Sequence, residues 1–214
     1  MMLPETIPLF PLPNVVLFPR MPLPLHIFEP RYRAMVRDAI RRAHLIGMVL
    51  LRGDWQRDYY GRPQVFATGT VGEMVRFDEL RDGRFDVVLR GLREFVIQSE
   101  VDRGTLYREA RVSWREPPPD RLGAATRDAI SELVRRYLAR LGRAPGQDPL
   151  LDDAVDDETF VNFFAQHLEM PPLEKQALLE AATLGERAAR LRDVIEFHLS
   201  ASRIQPGGTP GRTH

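Results

Sequence analysis

The chain has 214 residues, 43% of them hydrophobic and 28% charged, enough for one large domain or two small ones with a sizeable core. Thirty basic residues cancel thirty acidic ones, so no global positive field draws the chain to nucleic acid or a membrane surface. Cysteine is absent, which excludes disulfides, thiolate nucleophiles and thiolate metal sites. Only Lys175 among the thirty basic residues is a lysine, so any chemistry that needs an amine side chain must use that one.

The opening, from Ile7 to Ile27, places prolines at short intervals among apolar residues. Prolines so spaced forbid helix and remove backbone donors, so this stretch runs extended, and its apolar residues are expected to line a small barrel of strands. Met1 to Pro13 has no basic start and its apolar run is interrupted, so it does not read as a signal peptide. Nor does any apolar run reach bilayer length, and a cytoplasmic protein without a membrane partner is expected. Tyr32, Met35, Val36, Ala39, Ile40 and Ala43 form one apolar stripe and predict a helix over about 30–43.

Leu45–Leu51 is a compact apolar run of buried-strand length. Phe66–Phe77 and Phe85–Leu89 are rich in β-branched and aromatic residues, with Asp82-Gly83 between them as a hairpin turn. Arg93–Gln98 and Leu106–Trp114 complete the strands. Pro117-Pro118-Pro119 then makes a stiff spacer, after which the period becomes helical. Asp120 is placed to cap a helix carrying Ile130, Leu133, Val134, Tyr137, Leu138 and Leu141, and Arg143–Leu151 reads as a loop. Asp156 or Asp157 caps the next helix, with Phe160, Phe163, Phe164, His167 and Leu168 on one face. Pro171-Pro172 opens a third helix, Leu173–Thr183, and Gly185 separates it from a last one with Ala188, Leu191, Ile195 and Leu199 in register. Gln205–His214 reads as a disordered tail.

The first half also carries a family signature. Pro8-Leu9-Phe10-Pro11-Leu12, Val16-Leu17-Phe18-Pro19 and Leu23-Pro24-Leu25-His26-Ile27-Phe28-Glu29-Pro30-Arg31-Tyr32 resemble the opening of the amino-terminal, substrate-binding domain of Lon proteases. Gly91-Leu92-Arg93-Glu94-Phe95 and the segment Lys175–Glu180 are similar to later landmarks, and the resemblance covers about residues 5 to 200. Two positions depart from it: Arg20 stands where a glycine is usual, and Glu94 where the family tends to place an arginine. The resemblance implies an α+β chain, with a PUA-like β-barrel over 1–116 followed by a helical bundle over 117–204. It implies a protein- or peptide-binding role, without the ATPase and protease domains of full-length Lon.

The residues agree that no catalytic machinery is to be expected. A phosphate-binding loop needs Gly-Lys-Ser/Thr, whereas Lys175 lies between Glu174 and Gln176, and a serine-lysine dyad would need that same lysine. No Gly-x-Ser-x-Gly and no Gly-x-Gly-x-x-Gly is present, so no cofactor is expected. The histidines, at 26, 44, 167, 198 and 214, form no metal motif, and His167 and His198 read as core residues. The acidic run Asp148, Asp152, Asp153, Asp156, Asp157 and Glu158 lacks the glycine and ligand order of a calcium loop. Glu29, Arg31 and Tyr32 read as helix initiation and anchorage.

Binding chemistry is expected in the loop Arg52–Pro63. It holds Trp55, Tyr59 and Tyr60 among Arg52, Asp54, Arg57, Asp58 and Arg62. Aromatics among charges make a recognition surface, which Phe18 and Met21 would extend; the other reading folds the rings back onto the strands. Unfolded or damaged polypeptides are the expected partners, with a separate ATP-dependent protease or chaperone as a collaborator. An RNA-binding PUA-like module is the alternative, and neutral net charge argues against it.

Overall fold

Two strands carry the proline-rich opening in the computed structural model, which describes residues 3–116, 121–140, 142 and 155–201. β1 (Thr6–Leu12) pairs antiparallel with β6 (Arg108–Trp114) through Thr6–Leu9 and parallel with β3 (Leu45–Leu50) through Leu9–Leu12. Its two halves therefore pair to different sides, which leaves Pro8 and Pro11 each a side without a partner strand. β2 (Pro22–Ile27) pairs only with β5 (Phe85–Val101), an edge position that tolerates Pro22 and Pro24. β4 (Thr68–Glu79) joins β3 to β5, and β6 pairs with β5 as well as β1. The sheet thus returns on itself through β5, β4, β3, β1 and β6.

Inside this ring Ile7, Leu9, Leu45, Val49, Val71, Phe95, Ala110 and Val112 form one buried cluster. Gly47 and Gly69 make room for it. A Cβ on Gly69 would lie 2.3 Å from the Met48 carbonyl oxygen and 2.8 Å from the Phe95 ring. The other face of β3 places Ile46, Met48 and Leu50 against Tyr32, Met35, Val36 and Ala39 of α1 (Pro30–Ile40). Both faces of β3 are buried, and its sequence is accordingly apolar throughout rather than alternating.

The expected strands Phe85–Leu89 and Arg93–Gln98 form one strand of 17 residues. Gly91 does not break it; the chain passes there at a distance only glycine permits, because a Cβ would lie 2.1 Å from the Phe18 carbonyl oxygen. Arg20 and Met21 exchange backbone hydrogen bonds with Gly91 across this contact. α1 ends at Ile40, short of Ala43, because His44 takes a φ of +58° and its ring bonds the Ile40 carbonyl at 2.9 Å.

Beyond the strands lie α2 (Ala124–Arg140), α3 (Asp157–His167), α4 (Pro172–Leu179) and α5 (Leu184–Ala201), the first three packed against α5. Their apolar residues join the cluster that holds Leu17, Phe18 and Met21, so sheet, α1 and these helices share one continuous core. Asp156 caps α3 by accepting from the Thr159 amide at 3.1 Å. α4 stops four residues before Thr183, which itself precedes α5 and accepts from the Glu186 amide at 3.1 Å. Gly185 therefore sits within α5 rather than between helices. The triple proline, Asp120, Leu141, the whole 143–151 loop with Asp148, the neighbouring Asp152 and Asp153, and the 205–214 tail lie outside the described residues. Among the described residues no helix is long and apolar enough to cross a membrane.

Arg20 explains its own departure from the family pattern. Its φ is +68°, a conformation that glycine adopts without strain and that costs an L-residue about 1–2 kcal/mol. Its guanidinium reaches Asp156 at 2.8 Å and Glu158 at 2.6 Å, tying the loop to the start of α3. Arg20→Gly relieves the strain but loses both exposed pairs, each worth about 0.2–1 kcal/mol. Arg20→Ala loses the pairs and keeps the strain. In urea unfolding, Arg20→Ala should be the less stable of the two variants; the reverse order would mean that the larger unfolded-state entropy of glycine outweighs the strain at φ +68°.

Candidate functional site

The loop 52–63 leaves β3, makes one 3₁₀ turn at Trp55–Asp58 and returns to β4, closed at its base by the Arg52 amide on the Gln64 carbonyl at 2.8 Å. What fixes its far side is α1. Pro30 occupies the first turn of α1 as expected, but the Glu29 carboxylate before it makes no cap. It accepts from Arg31 Nε at 3.0 Å and from the Tyr59 hydroxyl at 2.8 Å. Arg31 in turn donates to the Tyr59 carbonyl at 3.3 Å, and its guanidinium carbon lies 4.5, 5.1 and 5.9 Å from the ring centroids of Tyr32, Tyr59 and Tyr60. Burial raises the phenol pKa of Tyr59 above its ordinary value, and the Glu29 carboxylate adds to this, so the hydroxyl stays a donor. Burial does the same for Tyr32, which is wedged against Phe10.

The three loop aromatics divide between the two expected readings. Trp55 and Tyr59 are half-buried and meet edge to face, with centroids 5.9 Å apart. Tyr60 stands out, 86% exposed, its ring edge-on to Tyr59 at 5.2 Å. Arg52 lies apart from this group, with its guanidinium 5.8 Å from the Phe66 ring. Phe18 and Met21 do not extend the surface: they are 0% and 3% exposed and belong to the core. Their segment turns inward at the β5 contact, which the proline spacing did not disclose.

A cleft of about 260 Å³ opens beside the loop, between residues 60–62 and 105–108. Leu106, 71% exposed, and Tyr60 both line it, as do Arg31, Arg62 and Arg108. Leu106, just before β6, and Arg108, its first residue, escaped the reading of the site, because only the closing of β6 onto β1 brings them beside the loop. Arg108 is tethered to Glu100 and donates to the Pro63 carbonyl at 2.8 Å.

The remaining candidate groups have structural duties. The Lys175 ammonium donates to the Gln166 carbonyl at the end of α3, and burial pushes its pKa below the ordinary amine value. His167 is exposed, against the expectation of a core residue; it stacks on Phe163 and bonds that residue's carbonyl. His198 pairs with Glu174 at 3.0 Å. Asp157 accepts from the Leu122 amide and from Arg127. Among the described residues no group of three or more histidines and acids is placed to hold a metal ion.

A sheet closed through five strands, a helical layer on a shared core and a cleft between two loops define an α+β domain with a surface site. A family model described as the ATP-dependent protease La (LON) substrate-binding domain matches residues 6–196, and the chain belongs to that family. It is 29% identical over 196 residues to the Lon protease of Parabacteroides distasonis, and 26% identical over 199 residues to Lon protease 2 of Myxococcus xanthus. These alignments cover 89% and 91% of this chain but 24% of each relative, so the chain spans about a quarter of their length. A crystal structure of a Lon N-terminal domain protein from Xanthomonas campestris superposes with a TM-score of 0.65 at 28% identity, over 87% of this chain and 96% of that one. The N-terminal domain of the Mycobacterium avium complex Lon protease superposes at 0.69 and 17% identity, over 91% and 100%, and shows the shared fold.

Proposed function

We propose that this chain is a non-catalytic recognition module, a PUA-like barrel with a helical bundle, that binds exposed apolar segments of unfolded or damaged polypeptides at the Tyr60–Leu106 cleft. The observation that carries the reading is the pair itself: two large side chains, Tyr60 and Leu106, are held in water along one cleft, and Tyr60 stands on a base fixed by Glu29, Arg31 and Tyr59. Aromatic anchors on a rigid base dock apolar side chains at little entropic cost. The only lysine is engaged with a helix-end carbonyl, which fits a binding role better than a serine-lysine dyad. In this reading the bound polypeptide is passed to an ATP-dependent protease or chaperone in the cytoplasm, whether joined to this chain or separate.

The test is fluorescence anisotropy with a labelled, permanently unfolded polypeptide. Tyr60→Ala and Trp55→Ala should each weaken binding, Tyr60→Ala by about tenfold, as for an interface anchor, with the urea midpoint unchanged. Tyr59→Ala should also weaken it, but with some loss of stability, since it releases Glu29. Unchanged affinity in Tyr60→Ala would remove the cleft as the site. Binding of labelled single-stranded RNA instead, falling steeply with salt, would move the assignment to nucleic acid.

A further inference from the structure

Two arginines of α1, Arg33 and Arg37, lie one helical turn apart and both reach the β4–β5 hairpin. Their Nη2 atoms stand within 3.2 Å of the one point where a Cβ on Gly83 would lie. Gly83 has a φ of +77° there, in a turn closed by the bonds of Leu80 with Gly83 and Arg84, so the guanidiniums converge on bare backbone. The acids nearby do not serve both. Glu79 accepts from Arg37 at 2.9 Å, and Asp82, the turn's own acid, is taken by Arg84 at 2.7 Å. Arg33 is left over. Among the described residues it is the one partly buried arginine whose guanidinium makes no hydrogen bond, ion pair or ring contact, and its Nε is shut off from solvent. A dry, unmet donor and a like charge one turn away both cost stability, and no described residue offsets them.

We infer that Arg33 and Arg37 form an oxyanion clamp at the junction of α1 and the hairpin, and that its ligand is a phosphate monoester. The clamp shares no residue with the Tyr60–Leu106 cleft and does not depend on the polypeptide reading. The number and spread of the donors select the ligand. Arg33 offers its terminal nitrogens, and Arg37 keeps donors beyond the one given to Glu79. A carboxylate presents two coplanar oxygens, which satisfy one guanidinium fork. A phosphate monoester presents three oxygens spread in space and can accept from both forks at once, in charge-assisted bonds. Glu79 is then a competitor: its carboxylate holds Arg37 until the ligand arrives, and it repels the ligand when it does.

The experiment is an NMR titration of the isotope-labelled chain with inorganic phosphate at fixed ionic strength, read at the Gly83 amide. The signal should shift and saturate in the millimolar range, and should move far less with acetate. Arg33→Gln should weaken binding about tenfold, whereas Glu79→Gln, which frees Arg37, should strengthen it. Because Arg33 pairs with no acid, its replacement strands no charge, and the urea midpoint of Arg33→Gln in phosphate-free buffer should not fall. Arg33→Lys, which keeps the charge and loses the fork, should bind with intermediate affinity. Glycerol phosphate then replaces inorganic phosphate. Binding at least as tight supports the monoester, and loss of binding would overturn that class in favour of the free ion. A shift that never saturates, one that acetate matches, or one that survives Arg33→Gln would overturn the clamp itself. So would weaker binding in Glu79→Gln, since the glutamate would then be part of the site rather than its competitor.

Discussion

Glu94→Ala should cost about 3–5 kcal/mol of folding stability, the range for breaking a buried ion pair from one side, read as a lowered urea midpoint. Glu94 is 5% exposed and sits on β5 where the strands meet the helices. One carboxylate oxygen accepts from Arg115 at 3.0 Å, and the other from the buried Arg187 of α5. The two guanidiniums go on to carbonyls at and just beyond the end of α4: Arg187 donates to Leu178 at 3.0 Å, and Arg115 to Leu179 at 3.1 Å and Ala181 at 2.8 Å. Arg187 also holds Asn162 at 2.7 Å, and Asn162 holds the Pro19 carbonyl at 3.1 Å. One carboxylate therefore neutralises two cations whose remaining donors link β5, α3, α4 and the Pro19 loop. Without it, two positive charges face each other with little water to screen them. Glu94→Gln keeps the shape but presents its amide to a guanidinium, so it should be intermediate. Pairing Glu94→Leu with Arg187→Met should cost less than the sum of the single changes. An unchanged midpoint in Glu94→Ala would mean that water enters the junction and screens the arginines.

This junction was illegible in the sequence, and the reason is physical. Residue 94 is separated from 187 by nearly the whole helical half of the chain, and a single glutamate in a β-branched run reads as a solvated strand position. The only trace was the departure at position 94 from the family's arginine tendency. Local features fared better. The apolar stripe of α1, the capping of α3 by Asp156 and the turn at Gly83, with φ +77°, are fixed by neighbours a few residues away. Gly91 misled for the opposite reason. A glycine between two apolar runs suggests a break, yet here it serves the approach of Phe18, a contact made from elsewhere in the chain. The candidate site shows the same division. The loop aromatics announced themselves by composition, whereas Leu106, Arg108 and the hold of Glu29 on Tyr59 exist only once β6 and α1 are in place.

Phe18→Ala should cost about 3–5 kcal/mol, the range for emptying a large aromatic from a core, and should lower the urea midpoint as severely as the loss of Glu94. The ring is fully buried at the meeting of strands and helices, 5.5 Å from the Arg187 guanidinium carbon. Its backbone is pinned on both sides: the Phe18 amide donates to Gln166 Oε1 at 3.1 Å, and its carbonyl lies against Gly91. The neighbours cannot close the void without moving one of those contacts, so little of the cost is recovered by collapse. Phe18→Leu keeps most of the apolar volume and loses the cation–π contact, and should cost less than about 2 kcal/mol. The pair separates a core residue from a recognition residue. A core role predicts a large drop in midpoint for alanine, a small one for leucine, and cleft affinity preserved in whatever fraction remains folded. If Phe18→Ala kept its midpoint and lost polypeptide binding, the residue would belong to the recognition surface and the inward turn of the Val16–Pro19 segment would be wrong.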